Sequence, residues 1–148
     1  MKFSAVLSLP ILLAVGALAS FRDKCTLRDF DPTSDGNPTL YYECPLANPT
    51  AWPYKSCSKI HLNDCFVNVV GKLWVRKNGA FGKSCKDCSY THDSGELKCS
   101  CENGGGGHGD FYDGYNKTSI NVDEVLRFVD SSKVGCHGIM PGNNCGRT

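Results

Sequence analysis

The feature that most limits what this 148-residue chain can fold into is that it repeats itself. Cys25 lies sixty residues before Cys85. Ser58-Lys-Ile-His-Leu-Asn-Asp-Cys-Phe-Val-Asn-Val69 lies sixty before Thr118-Ser-Ile-Asn-Val-Asp-Glu-Val-Leu-Arg-Phe-Val129. Leu40-Tyr-Tyr-Glu-Cys44 matches Leu97-Lys-Cys-Ser-Cys101 at an offset of 57, because the second hairpin loop is three residues shorter and a later linker three residues longer. Self-similarity at a fixed period marks duplicated structural units that cannot bury their apolar faces alone. Two such units, about 25–84 and about 85–136, must share one core.

Both copies are built in the same order. A Cys-bearing strand enters a polar turn, Asp31–Gly36 or Thr91–Gly95, and a second Cys-bearing strand completes a hairpin. An Ile-x-Leu/Val segment follows. Val122, Val125, Leu126 and Val129 fall at i, i+3, i+4 and i+7, and Leu62, Cys65, Phe66 and Val69 repeat the stripe, so the spacing predicts a short helix in each copy. Asn121 is placed to cap the second helix, with Glu124 at N3. A strand is expected next, with Leu73 and Val75 on one face and Lys72, Trp74 and Arg76 on the other. The expected fold is mainly β, a pseudo-twofold tandem repeat of hairpins and strands with short helical turns.

Residues 1–20 read as a secretory signal: Lys2, an apolar run from Ala5 to Leu18, and Ala17-Leu18-Ala19 before the expected cleavage point. The run is shorter than the ~20 residues that span a bilayer. Loss of Lys2 leaves 15 basic and 15 acidic residues, a balance without the basic excess that nucleic acid requires. The expected chain is secreted and extracellular, with one domain over 21–136 and a C-terminal tail over 137–148.

Ser58-Lys-Ile-His-Leu-Asn63 followed by Asn68-Val-Val-Gly-Lys-Leu73, and Gly114-Tyr-Asn-Lys-Thr-Ser-Ile-Asn-Val122 in the second copy, resemble the signature of the cyanovirin-N homology family of small sugar-binding proteins. Phe21–Cys25 looks like that family's N-terminal strand. The resemblance covers about residues 21–136. It implies an elongated body of two pseudo-domains, each assembled from parts of both repeats: about 66–124 in one lobe, about 21–65 plus 125–148 in the other. It also implies bridges Cys25–Cys44 and Cys85–Cys101.

Ten cysteines in a secreted chain predict five disulfides, each adding about 2–4 kcal/mol. Cys85-x-x-Cys88 and Cys99-x-Cys101 face each other across a hairpin, where four sulfurs can ligate zinc or form bridges 85–101 and 88–99; the leader favours bridges and no metal. Cys57, Cys65, Cys136 and Cys145 remain. Sequence alone does not pair them: local bridges, Cys57–Cys65 and Cys136–Cys145, are one choice and pairing across the lobes is the other.

The resemblance implies a shallow oligomannose pocket beside the second hairpin. Its positions hold Asn68, Lys83, Ser84, Glu102 and Asn103. All are side chains that hydrogen-bond to ring hydroxyls. Asn68 matches the family motif and Ser84 keeps a hydroxyl, whereas Lys83, Glu102 and Asn103 depart from it. The opposite reading is a turn residue at Asn68, a strand residue at Ser84 and a surface ion pair between Lys83 and Glu102. The twin pocket departs further, with Phe128 for Asn68, Ser131 for Gly71 and Pro45-Leu46-Ala47 after Cys44, leaving Asp23 and Lys24; it is expected to be weak or absent.

Other signals carry less. Gly104–Gly109 fits neither a Walker loop nor a calcium-binding repeat and reads as a linker. Asn116-Lys-Thr118 is the usable glycosylation sequon, in an expected loop. Ala51-Trp-Pro-Tyr54 reads as a packed loop. His61, His92, His108 and His137 are scattered, and no Gly-x-Ser-x-Gly occurs. The expected function is non-catalytic lectin activity toward mannose-type oligosaccharides or glycoprotein glycans, without cofactor, as a monomer or domain-swapped dimer. The alternative is a secreted cysteine-rich interaction protein on the same scaffold that does not bind sugar.

Overall fold

The computed structural model describes residues 20–33, 36–46, 48, 50, 55–104, 114–143 and 145. The leader, the aromatic loop at 51–54 and most of the glycine run lie outside the described residues.

The described residues form ten strands in four antiparallel sheets. Strands β1 (Thr26–Asp31), β2 (Thr39–Pro45) and β3 (Lys55–His61) make one sheet in that order; β4 (Phe66–Val69) and β5 (Lys72–Val75) form a hairpin. In the second copy β6 (Cys85–Thr91), β7 (Glu96–Glu102) and β8 (Tyr115–Asn121) make the matching sheet, and β9 (Leu126–Phe128) pairs with β10 (Val134–Cys136). Strand β7 shows why the pleat forms: Leu97, Cys99 and Cys101 are buried while Lys98 between them is exposed.

The copies exchange their second halves. The Val134 amide of β10 donates to Ser58 Oγ of β3 at 2.9 Å, and the Leu73 amide of β5 donates to Thr118 Oγ1 of β8 at 3.2 Å. Ser58 and Thr118 are the sixty-residue twins, so the same hydroxyl docks the other repeat's hairpin in each lobe. One lobe holds β1–β3 with β9–β10, and the other holds β6–β8 with β4–β5. Twin 3-10 turns begin the two copies at Phe21–Asp23 and Phe81–Lys83. The core runs through both lobes from Phe21, Leu40 and Tyr42 to Phe66, Phe81, Leu97 and Leu126. Phe21–Tyr42 and Phe66–Phe81 meet edge to face.

A polar seam ties the lobes. Arg22 reaches Asp123 at 2.5 Å and donates to the carbonyls of His92 and Asp93, both at 2.7 Å. Beside it, Tyr42 hydrogen-bonds Tyr90 at 2.7 Å and His92 Nδ1 at 3.0 Å. Its twin contact is neutral: the Gly82 amide donates to Asn63 Oδ1 at 2.8 Å.

The expected helices are 3-10 turns of three residues, Leu62–Asp64 and Val122–Glu124, after which the chain extends into β4 and β9. The carbonyls a helix would need are taken. Asn63, Asp64 and Cys65 carbonyls accept from Ala80, Asn78 and Arg76 amides of the returning chain. In the second copy the Arg127 guanidinium caps the Asp123, Glu124 and Leu126 carbonyls. Asn121 does cap its turn, accepting from the Asp123 amide at 2.8 Å.

All ten cysteines are paired. Cys25–Cys44, Cys85–Cys101 and Cys88–Cys99 close the two hairpins. The two local bridges are corrected: Cys57 pairs with Cys145 and Cys65 with Cys136. Cys57 lies in extended β3 and Cys65 beyond the next turn. At roughly 3.3 Å per strand residue, they are far outside bridging range. Cys136 instead meets Cys65 across the lobe, with a Cα separation of 5.6 Å. The symmetry partners of that pair are Val75 and Val125, so the second lobe has two valines where the first has a covalent link. Val75, expected to share the buried face of Leu73, is 39% exposed. The segment after β10 returns to β3, where Gly142 exchanges two backbone hydrogen bonds with Lys59.

Candidate functional site

Asn68 lies in β4 opposite Leu73, at the mouth of a two-residue turn formed by Val70 and Gly71. Both turn residues have positive φ, 50° and 77°, the geometry whose twist matches a hairpin. Glycine is needed at 71 for this φ and for space: an added Cβ would stand 2.7 Å from Asn116 Nδ2 and 2.9 Å from Asn103 Cβ. The turn therefore presses directly against the end of the second hairpin.

Asn68 clamps that contact. Its Nδ2 donates to Ser84 Oγ at 3.0 Å and to the Glu102 carbonyl at 2.8 Å, while its Oδ1 accepts from the Gly71 amide at 2.9 Å. Ser84 follows the Phe81–Lys83 turn, and its carbonyl accepts the Glu102 amide at 2.8 Å. The Asn103 amide donates to the Gly114 carbonyl, and its Nδ2 to Asn116 Oδ1 at 3.0 Å. Glu102 accepts from the Tyr115 hydroxyl at 3.1 Å, which raises the Tyr115 phenol above its ordinary range, and Lys86 sits 3.9 Å over the Tyr115 ring.

Asn68, Ser84, Glu102 and Asn103 thus meet along one seam between the β4–β5 turn and the base of β6–β7. Lys83 stands exposed next to Ser84, and among the described residues no ion pair joins it to Glu102. Asn68 is a structural member of the seam: both its amide protons and its oxygen are engaged inside the protein. The groups presented outward are Lys83, the Glu102 carboxylate and the Asn103–Asn116 edge.

Three participants come from outside the sequence-expected set: Gly71, Tyr115 and Asn116. Asn116 is an exposed residue of β8, paired with Cys101, and not part of a loop. The register Cys101↔Asn116 carries it beside Asn103.

The twin position is built differently. Phe128 is 37% exposed at the end of β9 and has no amide to clamp with. The following turn is organised by Asp130, whose Oδ1 accepts the Ser132 and Lys133 amides at 2.8 Å. Those bonds, led by Ser132, hold its carboxyl below the usual range. Pro45 is exposed where Glu102 stands in the other lobe.

A family model for the CVNH domain matches residues 21–130. The chain belongs to the CVNH family. Three solved CVNH-type structures are similar to it. Microvirin, solved as a mannobiose complex, is 23% identical, with 70% of this chain and 86% of microvirin covered and a TM-score of 0.51. A MoCVNH3 variant solved with (N-GlcNAc)4 is 16% identical, covering 77% of this chain and 94% of that one, with a TM-score of 0.57. The CVNH protein of Gibberella zeae is 17% identical, covering 82% and 97%, with a TM-score of 0.52. At these identities the likeness is one of fold. No curated protein matches the chain significantly. Among the described residues no three His, Cys, Asp or Glu side chains group as a metal site, and no helix is long and apolar enough to cross a membrane.

Proposed function

We infer that this CVNH chain is a secreted, non-catalytic carbohydrate-binding protein that takes mannose-type oligosaccharides at the edge formed by Lys83, Glu102 and Asn103, with Ser84 held behind it. The observation that carries this reading is the clamp: Asn68 spends its hydrogen bonds to fix Ser84 and Glu102 in place. Preset polar groups lose little conformational freedom when a sugar binds, which leaves more of the contact energy as affinity. Recognition is passive, with hydroxyls exchanged between water and fixed donors and acceptors. A shallow edge gives weak affinity per site, strengthened where glycans are dense. The sequon at Asn116 adds that an N-linked glycan would stand on the rim of the same edge.

The test is a glycan array with fully oxidised protein, followed by Glu102→Ala and Asn103→Ala. Retention of mannose-type glycans, lost in both variants and kept in Ser131→Ala, is expected. Retention unchanged in both would place the site elsewhere. The engagement of every Asn68 polar group also supports the sugar-free interaction protein; retention of no glycan at high protein density is the result that selects it.

A further inference from the structure

Trp74 is 51% exposed in β5, beside the buried Leu73. Trp74 is part of the lining of a groove of about 570 Å³ between β5 and the far ends of β7 and β8. Small-ligand sites commonly measure roughly 300–1,000 Å³. Leu73 and Ile120 supply apolar lining, and Glu96, Ser119, Asn121 and Glu124 supply polar groups.

These groups are held. Lys98 binds the Glu96 carboxylate at 3.0 Å, and with Ser119 it keeps that carboxyl ionised below its usual range. Asn121 donates to the Ser94 carbonyl at 3.1 Å. The Lys72 ammonium sits 5.1 Å from the Trp74 ring centre and steadies the indole. Fixed acceptors beside a half-exposed indole meet the needs of a pyranose, whose C–H face packs on indole while its edge hydroxyls donate to carboxylate and amide. A pyranose with all substituents equatorial offers a flat C–H face on either side; an axial hydroxyl spoils one of them. A second trough of about 430 Å³ on β7 and β8 shares Ser119 with it.

We propose that the Trp74 groove is a second saccharide site, for β-linked gluco-configured oligosaccharides. It lies apart from the Asn103 edge. Glu96 pairs with Asn121 at one end of β7–β8 and Glu102 with Tyr115 at the other, about 20 Å away at strand spacing.

The experiment is chemical-shift mapping on isotope-labelled, fully oxidised protein titrated separately with chitotetraose, cellotetraose and mannobiose. Either gluco-configured tetrasaccharide is expected to shift the Trp74 indole N–H and the Glu96, Ser119 and Asn121 amides, with an affinity of about 1 mM. Trp74→Ala, an exposed change, weakens this about tenfold and leaves the Asn103 signals in place; Glu96→Gln weakens it while the indole still shifts. The proposal is overturned if neither tetrasaccharide moves the groove, if only mannobiose does, or if Trp74→Ala binds as before. Shifts confined to Ser84 and Asn103 would support the first site and remove the second; groove shifts with a silent Asn103 edge would do the reverse.

Discussion

Replacing Asn68 with Ala removes three hydrogen bonds at once: to Ser84 Oγ, to the Glu102 carbonyl and from the Gly71 amide. A typical intramolecular hydrogen bond contributes about 1 kcal/mol net. Water reaches some of the abandoned partners, so the expected loss is about 2–3 kcal/mol. For a domain of this size that lowers the melting temperature by roughly 6–10 °C. Asn68→Asp is the sharper variant. It can still accept from Gly71 but donates nothing, and it sets a carboxylate against the Glu102 carbonyl, so it should be no more stable than Asn68→Ala. The assay is guanidinium unfolding of oxidised protein, with Ser131→Ala as reference. A loss below about 0.5 kcal/mol for Asn68→Ala would refute the claim that this side chain holds the two elements together. A large loss also means that sugar binding lost in Asn68→Ala says little about sugar contact, which is why the site is better probed at Glu102 and Asn103.

Other consequences follow from the same contacts. Burial raises the Tyr42 phenol, the hydrogen bond to Tyr90 raises it further, and burial likewise raises Tyr90. The unfolded phenols ionise first, so stability is fully present below about pH 10 and falls as pH rises above it; urea unfolding across that range should show the fall, shallower in Tyr42→Phe. Cys65–Cys136 closes a separation of 71 residues and Cys88–Cys99 one of 11, so Cys65→Ala with Cys136→Ala should cost about 4 kcal/mol against about 3 for the shorter pair; equal midpoints, or the reverse order, would contradict the loop-length reasoning. Val70 holds φ 50° with a β-branched side chain, 72% exposed; Val70→Asn should stabilise by about 1 kcal/mol in thermal unfolding.

The duplication carried the fold because period-sixty matches fall on backbone contacts as well as on apolar positions. Thr118 and Ser58 were aligned by sequence and turn out to dock equivalent hairpins. The Cys85-x-x-Cys88 and Cys99-x-Cys101 spacings differ by one residue, and the register shift between Lys86 and Ser89 absorbs it, with Asp87 at φ 52°. What sequence periodicity misread was the stripe at 62–69 and 122–129. A helical spacing of apolar residues does not reveal that Arg127 and the chain at 76–80 will take the carbonyls a helix needs. The long bridges were illegible for a similar reason: Cys57 and Cys145 are 88 residues apart, and their meeting depends on the tail returning to Lys59. At the site, the residue types were readable but their division of labour was not. Asn68 faces inward to Ser84, and Asn116, read as a loop sequon, lies beside Asn103 through strand register.

The most direct test of the account is to titrate the oxidised chain with mannobiose and follow amide shifts residue by residue. The account predicts movement gathered at Lys83, Ser84, Glu102 and Asn103, abolished by Asn103→Ala, with the twin region around Phe128 unmoved. Movement centred on Phe128 and Pro45, or none anywhere at saturating sugar, would contradict it.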